Sequence, residues 1–209
     1  MESPLDTDHV RGTLHHPKSS NGEAILLTHG AGSNANSPLL TALAGDFAAA
    51  GYLVLRYDLP FRFGASKGPL NEAAQARDRA GIRAAIEAVR PMIPGRIIAG
   101  GHSYGGRQTA MTAAENPGIA DALLLLSYPL HPPEKPQQLR TAFFPDLRTP
   151  SLFVHGVRDP FGTVDELTAA IRLIPARTEL LSIDRAAHDL KPAAKRSGDI
   201  LEALKKLLG

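Results

Sequence analysis

One stretch limits what this chain can fold into more than any other: Ile97-Ile98-Ala99-Gly100-Gly101-His102-Ser103-Tyr104-Gly105-Gly106. A β-branched apolar run leads into Gly-x-Ser-x-Gly, and a helix-forming segment follows over about 107–115. That is a strand, a sharp turn and a helix, with a serine at the corner. A serine hydroxyl becomes a useful nucleophile only when a base removes its proton. A corner position lifts Oγ clear of the sheet end, where a base from another loop can reach it. Neighbouring chains crowd such a turn, so Gly101 and Gly105 stand where a side chain would collide. The helix behind the serine turns its positive dipole end toward any negative charge that develops there. Glycine-rich turns between strand and helix also occur in phosphate-binding folds, but the chain has neither G-x-G-x-x-G nor G-x-x-x-x-G-K-[ST].

The rest of the chain supplies the frame. Runs 24–28, 52–58, 97–100, 121–127, 151–156 and 179–183 are short and apolar, the pattern of strands buried on both faces. Helices are predicted between them. Asn36 or Ser37 caps one, with Pro38 in its first turn, Leu39, Leu40, Leu43 and Phe47 as its stripe and Gly51 as its stop. Others are predicted over 71–89, 163–174 and 200–208. Alternation of strand and helix predicts a mostly parallel sheet covered by helices on both faces. The 209 residues suit one such domain spanning 1–209, with 1–21 a polar segment in which 10–15 forms an edge strand. No block is long enough for a lid domain.

Composition removes several function classes. The chain has no cysteine, so disulfides, thiolate metal sites and a cysteine nucleophile are excluded. The net charge is +2, from 23 basic and 21 acidic residues that are interspersed rather than striped, which argues against nucleic acid as a partner. No apolar run approaches the ~20 residues of a membrane span. The start, Met1-Glu2-Ser3-Pro4-Leu5-Asp6, lacks the basic and apolar regions of a signal peptide, so a cytoplasmic location is expected.

The chemistry-bearing residues fall at strand ends. His29-Gly30-Ala31-Gly32-Ser33 follows the first apolar strand, and glycine there lets a backbone N–H face a substrate. The Ala31 N–H is assigned as one half of an oxyanion hole and the Tyr104 N–H, directly after the serine, as the other. His29 reads as a loop anchor rather than a base. Ser103, Asp159 and His188 follow one another as nucleophile, acid and base. Asp159 lies in an Arg-Asp-Pro turn past a strand, and His188 in a loop past the last strand. Asp184 is the serious rival to Asp159. Asp165 falls within a helix, and Asp189 adjoins the histidine. His102 is too close to the serine in sequence to serve as its base. Phe61, Arg62 and Phe63 in the 59–69 loop, and Tyr128 and Leu130 in the proline-rich 128–136 loop, stand at the same sheet edge. Pocket lining and ordinary loop packing explain them equally well.

Taken together, His29-Gly30-Ala31-Gly32, the 101–106 turn, Tyr128-Pro129-Leu130-His131-Pro132-Pro133, His155-Gly156-Val157-Arg158-Asp159-Pro160-Phe161-Gly162 and His188 resemble a group of α/β-hydrolases. The group includes testis-expressed protein 30 and the hydrolase-like domain of NSL complex subunit 3. More distantly the chain resembles the dienelactone hydrolases. The resemblance covers about residues 22–208 and implies an α/β-hydrolase fold without a lid and a Ser103–Asp159–His188 triad. Dienelactone hydrolases carry cysteine at the turn where this chain has Ser103, so their activity does not carry over. The expectation is a serine hydrolase for small, short-acyl carboxylic esters or thioesters, with no metal and no cofactor. Peptide hydrolysis or acyl transfer would use the same residues, and a binding module that keeps the fold without the chemistry is the rival from another class.

Overall fold

The computed structural model describes residues 1–64 and 71–209, so the last part of the 59–69 loop lies outside the described residues. Eight strands form one sheet in the order β1-β2-β4-β3-β5-β6-β7-β8. They are β1 Glu2–Asp6, β2 Arg11–His15, β3 Ala24–Thr28, β4 Leu53–Asp58, β5 Ile97–His102, β6 Ala122–Leu126, β7 Ser151–Gly156 and β8 Thr178–Ile183. From β4 through β3 to β8 every pairing is parallel, and only the β1–β2 and β2–β4 pairings are antiparallel. This is the expected mostly parallel architecture of the α/β-hydrolase fold, and among the described residues no lid domain interrupts it.

Strand side chains alternate between two cores, as the pleat requires. On β6, Leu123 and Leu125 join Ile82, Ile86 and Val89 of helix α2 Glu72–Val89. Leu124 and Leu126 point the other way. There they meet the cluster of Leu40, Leu43 and Phe47 from helix α1 Pro38–Ala49 and Ile200 and Leu204 from helix α5 Ser197–Leu208. Both faces of the central strands β3 to β7 are therefore dry, which is why their sequences read as apolar runs. Helix α1 starts at Ser37, whose hydroxyl accepts from the Leu40 N–H, and helix α2 at Asn71, whose side chain accepts from the Ala74 N–H. Helix α4 Val164–Ile171 opens with a capping box between Thr163 and Glu166.

Four details depart from the sequence expectation. The strand read over 10–15 is not an edge, because β1 pairs outside it with Glu2 opposite His15. Residues 2–6, Glu-Ser-Pro-Leu-Asp, carry too little apolar pattern to announce a strand. Helix α3 Tyr104–Glu115 starts directly after Ser103, three residues earlier than predicted, because Gly105 and Gly106 hide its first turn from any propensity argument. Helix α5 also begins three residues early, at Ser197. Finally, the connection from β6 to β7 carries no α-helix. An aromatic cluster fills that space: Tyr128 packs 5.4 Å from Phe144 and 5.8 Å from Phe153, centroid to centroid.

Candidate active site

Every parallel strand delivers its C-terminal end to one edge of the sheet, and the chemistry-bearing residues collect there. Ser103 ends β5 with φ 51° and ψ −116°, a left-handed conformation that a residue with a Cβ seldom adopts. Its N–H donates to the Leu126 carbonyl at 2.8 Å, and its carbonyl accepts from the Arg107 N–H at 2.9 Å. The corner is thus held by β6 on one side and by α3 on the other. The two outer glycines of the motif are sterically required. A Cβ on Gly101 would lie 2.5 Å from the Thr28 carbonyl oxygen, and one on Gly105 2.5 Å from that of His29.

His188 comes from the loop after β8. Its Nε2 lies 2.7 Å from Ser103 Oγ, and its Nδ1 lies 2.8 Å and 3.0 Å from the two carboxylate oxygens of Asp159. Asp159 accepts, so Nδ1 carries the proton and Nε2 offers its lone pair to the serine hydroxyl. Burial pushes the Asp159 carboxyl up, but the His188 donor, its charge and the Phe161 N–H together outweigh that and hold it below the ordinary carboxylate range. The Phe161 N–H donates to Asp159 Oδ1 at 2.9 Å, and the Arg158 N–H ties the acid turn to the Ala186 carbonyl of the base loop at 2.9 Å. The rivals stand apart. Asp184 and Asp165 are exposed, and Asp189 is exposed and pairs with Lys191 at 3.0 Å.

Two supports for the base were not legible as such in the sequence. His102 Nε2–H donates to the His188 carbonyl at 2.7 Å, so the residue before the nucleophile anchors the backbone of the base. Burial pushes the His102 imidazole down and keeps it neutral for this task, although the bond to the carbonyl pulls the other way. The Phe161 ring stacks on His188 at 4.1 Å between centroids with a 31° tilt, which fixes the imidazole plane. Gly162, with φ 150°, lets the chain turn away, and a Cβ there would strike Leu130 Cβ at 2.9 Å. The Arg-Asp-Pro-Phe-Gly run therefore reads as acid, turn, ring and exit.

The 29–33 loop sits opposite the serine. His29 is fully buried; its Nδ1–H donates to the Gly30 carbonyl at 2.9 Å, and its Nε2 accepts from the Leu59 N–H at 3.1 Å. Burial pushes its imidazole down, so the 3.3 Å approach of Asp58 is not an ion pair. Asp58 instead accepts from the Ala35 N–H at 2.7 Å. His29 is a loop anchor, in line with the sequence reading. Tyr104 is anchored too: its hydroxyl donates to the buried Asp78 at 2.6 Å, and Asp78 also accepts from the Phe61 N–H at 3.0 Å.

A cavity of about 600 Å³ lies over Ser103 and His188, and its walls correct the sequence expectation. Gly30, Ala31, Gly32 and Ser33 form one side; Gln75, Arg107, Pro129, Arg140 and Phe161 form the others. Among the described residues, none of Phe61, Arg62, Phe63, Tyr128 or Leu130 lines it. Tyr128 and Leu130 are fully buried in the core. The Phe61 ring packs edge-on at 5.5 Å from His29 and 5.9 Å from Tyr104, while Phe63 lies beneath the Arg11 guanidinium. Arg62 braces the neighbouring loop, donating to the Ala31 carbonyl at 2.9 Å. Burying a large apolar side chain gains ~2 kcal/mol, so the core claims such residues even from loops. The cavity keeps a mixed lining, Ala31, Pro129 and Phe161 beside Gln75, Arg107 and Arg140. No helix among the described residues is long and apolar enough to cross a membrane.

A family model described as an alpha/beta hydrolase domain matches residues 21–207. Solved structures similar to this one include Est1E from Butyrivibrio proteoclasticus, with a TM-score of 0.77 and 17% identity over 99% of this chain and 98% of that one. A serine hydrolase without lid from Xanthomonas campestris gives a TM-score of 0.78 at 16% identity, over 99% and 94% of the two chains. A dienelactone hydrolase from Anabaena variabilis gives 0.77 at 20% identity, over 99% and 97%.

Proposed function

The chain belongs to the alpha/beta hydrolase domain family, and from that premise we propose that it is a serine hydrolase of small carboxylic esters or thioesters. The observation that carries this reading is the hydrogen-bonded line from Ser103 Oγ through His188 to Asp159, at 2.7 Å and 2.8 Å, beneath an open cavity. His188 Nε2 takes the Ser103 proton as Oγ attacks the carbonyl carbon, and Asp159 stabilises the imidazolium. The new charge on the carbonyl oxygen is held by the N–H groups of Ala31 and Tyr104. The Gly30 carbonyl is bonded to His29 and to the Ser33 N–H, at 2.9 Å and 3.0 Å. In a trans peptide the next N–H points the opposite way, which aims that of Ala31 away from His29. The imidazolium then protonates the departing alcohol or thiol. Water, deprotonated by His188, cleaves the acyl-enzyme and returns Ser103 to its resting state.

Short acyl groups fit this site best. A longer chain gains ~0.8 kcal/mol per CH₂ only where it meets continuous apolar walls, and here Gln75, Arg107 and Arg140 interrupt the apolar lining of Ala31, Pro129 and Phe161. The narrower likeness to the testis-expressed protein 30 and NSL complex subunit 3 group belongs to the same proposal. It rests on the proline loop and on the Arg-Asp-Pro-Phe-Gly turn, in which Asp159, Phe161 and Gly162 each have a structural task here. The test is covalent labelling by a fluorophosphonate together with hydrolysis of p-nitrophenyl esters from C2 to C12. Labelling and turnover that vanish in a folded Ser103→Ala protein, with kcat/KM falling as the chain lengthens, are expected. Unchanged turnover in that variant would refute the assignment of the nucleophile.

A further inference from the structure

The cavity over Ser103 holds two cations that the reaction of a neutral ester does not need. Arg107 lies one turn into α3, its N–H bonded to the Ser103 carbonyl, so its backbone stands about 6 Å along the helix from the nucleophile. Arg140 comes from the 127–150 connection and lines the same cavity. Its backbone is fixed from both sides: the Tyr128 hydroxyl donates to its carbonyl at 2.5 Å, and its N–H donates to the Leu130 carbonyl at 2.8 Å. One guanidinium nitrogen donates to the Pro129 carbonyl at 3.2 Å. Both side chains are half-buried.

Among the described residues neither arginine has a counter-charge. Among the described residues, Arg56, Arg79, Arg90, Arg96, Arg177 and Arg196 each lie within ion-pair distance of a carboxylate, while Arg107 and Arg140 do not. Residues 65–70 contain no acidic side chain. Arg107 Nε is buried with no hydrogen-bond partner among the described residues. Burial and the charge of Arg107 both push the Arg140 guanidinium down, as expected for two cations held close together without an anion. A chain gains no stability from such an arrangement, and a bound oxyanion would relieve it through charge-assisted, bidentate hydrogen bonds.

We propose that Arg107 and Arg140 form an anion subsite beside the nucleophile, which selects esters or thioesters that carry a second, oxyanionic group, a carboxylate or a phosphate, on the same molecule. This rests on the serine-hydrolase reading above. The guanidinium pair receives a charged group carried on the acyl side or on the leaving group.

Two matched pairs of substrates test this. Monomethyl glutarate is compared with methyl valerate, which places a carboxylate on the acyl side. S-acetyl-phosphopantetheine is compared with S-acetylpantetheine, which places a phosphate on the leaving group. Hydrolysis is followed by proton release or free thiol, and fluorophosphonate labelling of Ser103 runs in parallel. The charged member of at least one pair should be preferred by about thirtyfold in kcat/KM at low salt, the scale of one or two charge-assisted hydrogen bonds. The preference should shrink as salt rises. Arg107→Met and Arg140→Met should each reduce the charged-to-neutral ratio toward one, with Arg107→Lys keeping part of it. The wild-type comparison needs no variant to fold. Equal use of charged and neutral members in both pairs by a labelled enzyme would overturn the subsite and leave the hydrolase standing. A preference that survives both methionine variants would overturn it as well. No labelling and no turnover of any of the four would overturn the hydrolase reading and the subsite with it.

Discussion

Asp159→Asn removes one charge, keeps the side-chain shape and reverses a single hydrogen bond, so its effect can be worked out atom by atom. In the native site Oδ1 accepts from the Phe161 N–H at 2.9 Å, and Oδ2 accepts from His188 Nδ1–H at 2.8 Å. The asparagine oxygen keeps the backbone bond, because only an oxygen can accept it. The amide NH₂ then occupies the Oδ2 position, facing His188 Nδ1. His155 pulls the same way. Its Nε2 donates to the Gly162 carbonyl at 2.8 Å, which leaves Nδ1 as a buried acceptor 4.0 Å from Oδ2 and without a hydrogen-bond partner among the described residues. With a donor between two ring nitrogens, His188 is driven to the tautomer that carries its proton on Nε2. That nitrogen then faces Ser103 Oγ as a donor and no longer as a base. The corresponding change in a serine protease triad lowers kcat about 10⁴-fold, or ~5 kcal/mol of transition-state stabilisation. The same loss is expected here in p-nitrophenyl acetate hydrolysis, with a folded protein by circular dichroism. Asp184→Asn should stay within about threefold, because exposed substitutions away from a site cost little. Near-normal turnover by Asp159→Asn, or a crippled Asp184→Asn, would refute the assignment of the acid.

Three further outcomes follow from the same geometry. Ser103 sits at φ 51°, where glycine is unstrained; Ser103→Gly should therefore be more stable than Ser103→Ala by about 1 kcal/mol in urea titration, and the reverse order would mean that the turn stores no strain. Gly105→Ala places a Cβ 2.5 Å from the His29 oxygen and 2.8 Å from Thr28 Cγ2; backbone cannot yield cheaply there, so a loss of about 1–3 kcal/mol and of most activity is expected, and a silent variant would show that the strand and helix can move apart. Burial pushes the imidazoles of His29 and His102 down, so the folded state favours their neutral forms: their contribution is complete above about pH 6.5 and is lost as pH falls through the lower folded-state values, with the depressed Asp159 carboxyl adding a further loss in more acidic solution. The melting temperature should therefore fall between pH 7.5 and pH 5, and a flat profile would contradict the buried, neutral state of both rings.

Much of the frame follows from local pattern. Five of the strands, β3 to β7, announce themselves as short apolar runs, because both of their faces are buried and period-2 alternation has nothing polar to show; the sixth run, β8, is a half-buried edge strand. The turn at 101–105 announces the corner, because a Cβ at either outer position would meet backbone. Ser103 and His188 could be picked out as nucleophile and base by their order and their places at strand ends. Other features were silent for equally local reasons. Residues 2–6 pair as β1 only because β2 offers an antiparallel edge, and the first turn of α3 is masked by two glycines.

Which groups meet is a question that local pattern does not reach. Asp159 and Asp184 both follow strands, at separations of 29 and 4 residues from His188 in the chain. The order β5-β6-β7-β8 turns the longer separation into contact, because parallel register brings the C-terminal ends of β5, β7 and β8 to one edge. Asp184 leaves β8 on an exposed turn. The pocket shows the same division. Phe61, Tyr128 and Leu130 stand at the correct edge in sequence, but each was free to choose between cavity and core, and apolar burial drew them inward. Arg107 and Arg140 lie 33 positions apart in an ordinary mixture of charges. Their shared cavity exists only because α3 and the helix-free connection from β6 to β7 flank the same serine. Periodicity and sterics act over a few residues and are written in the sequence; strand order and the competition for the core act over the whole chain and are decided only when it folds.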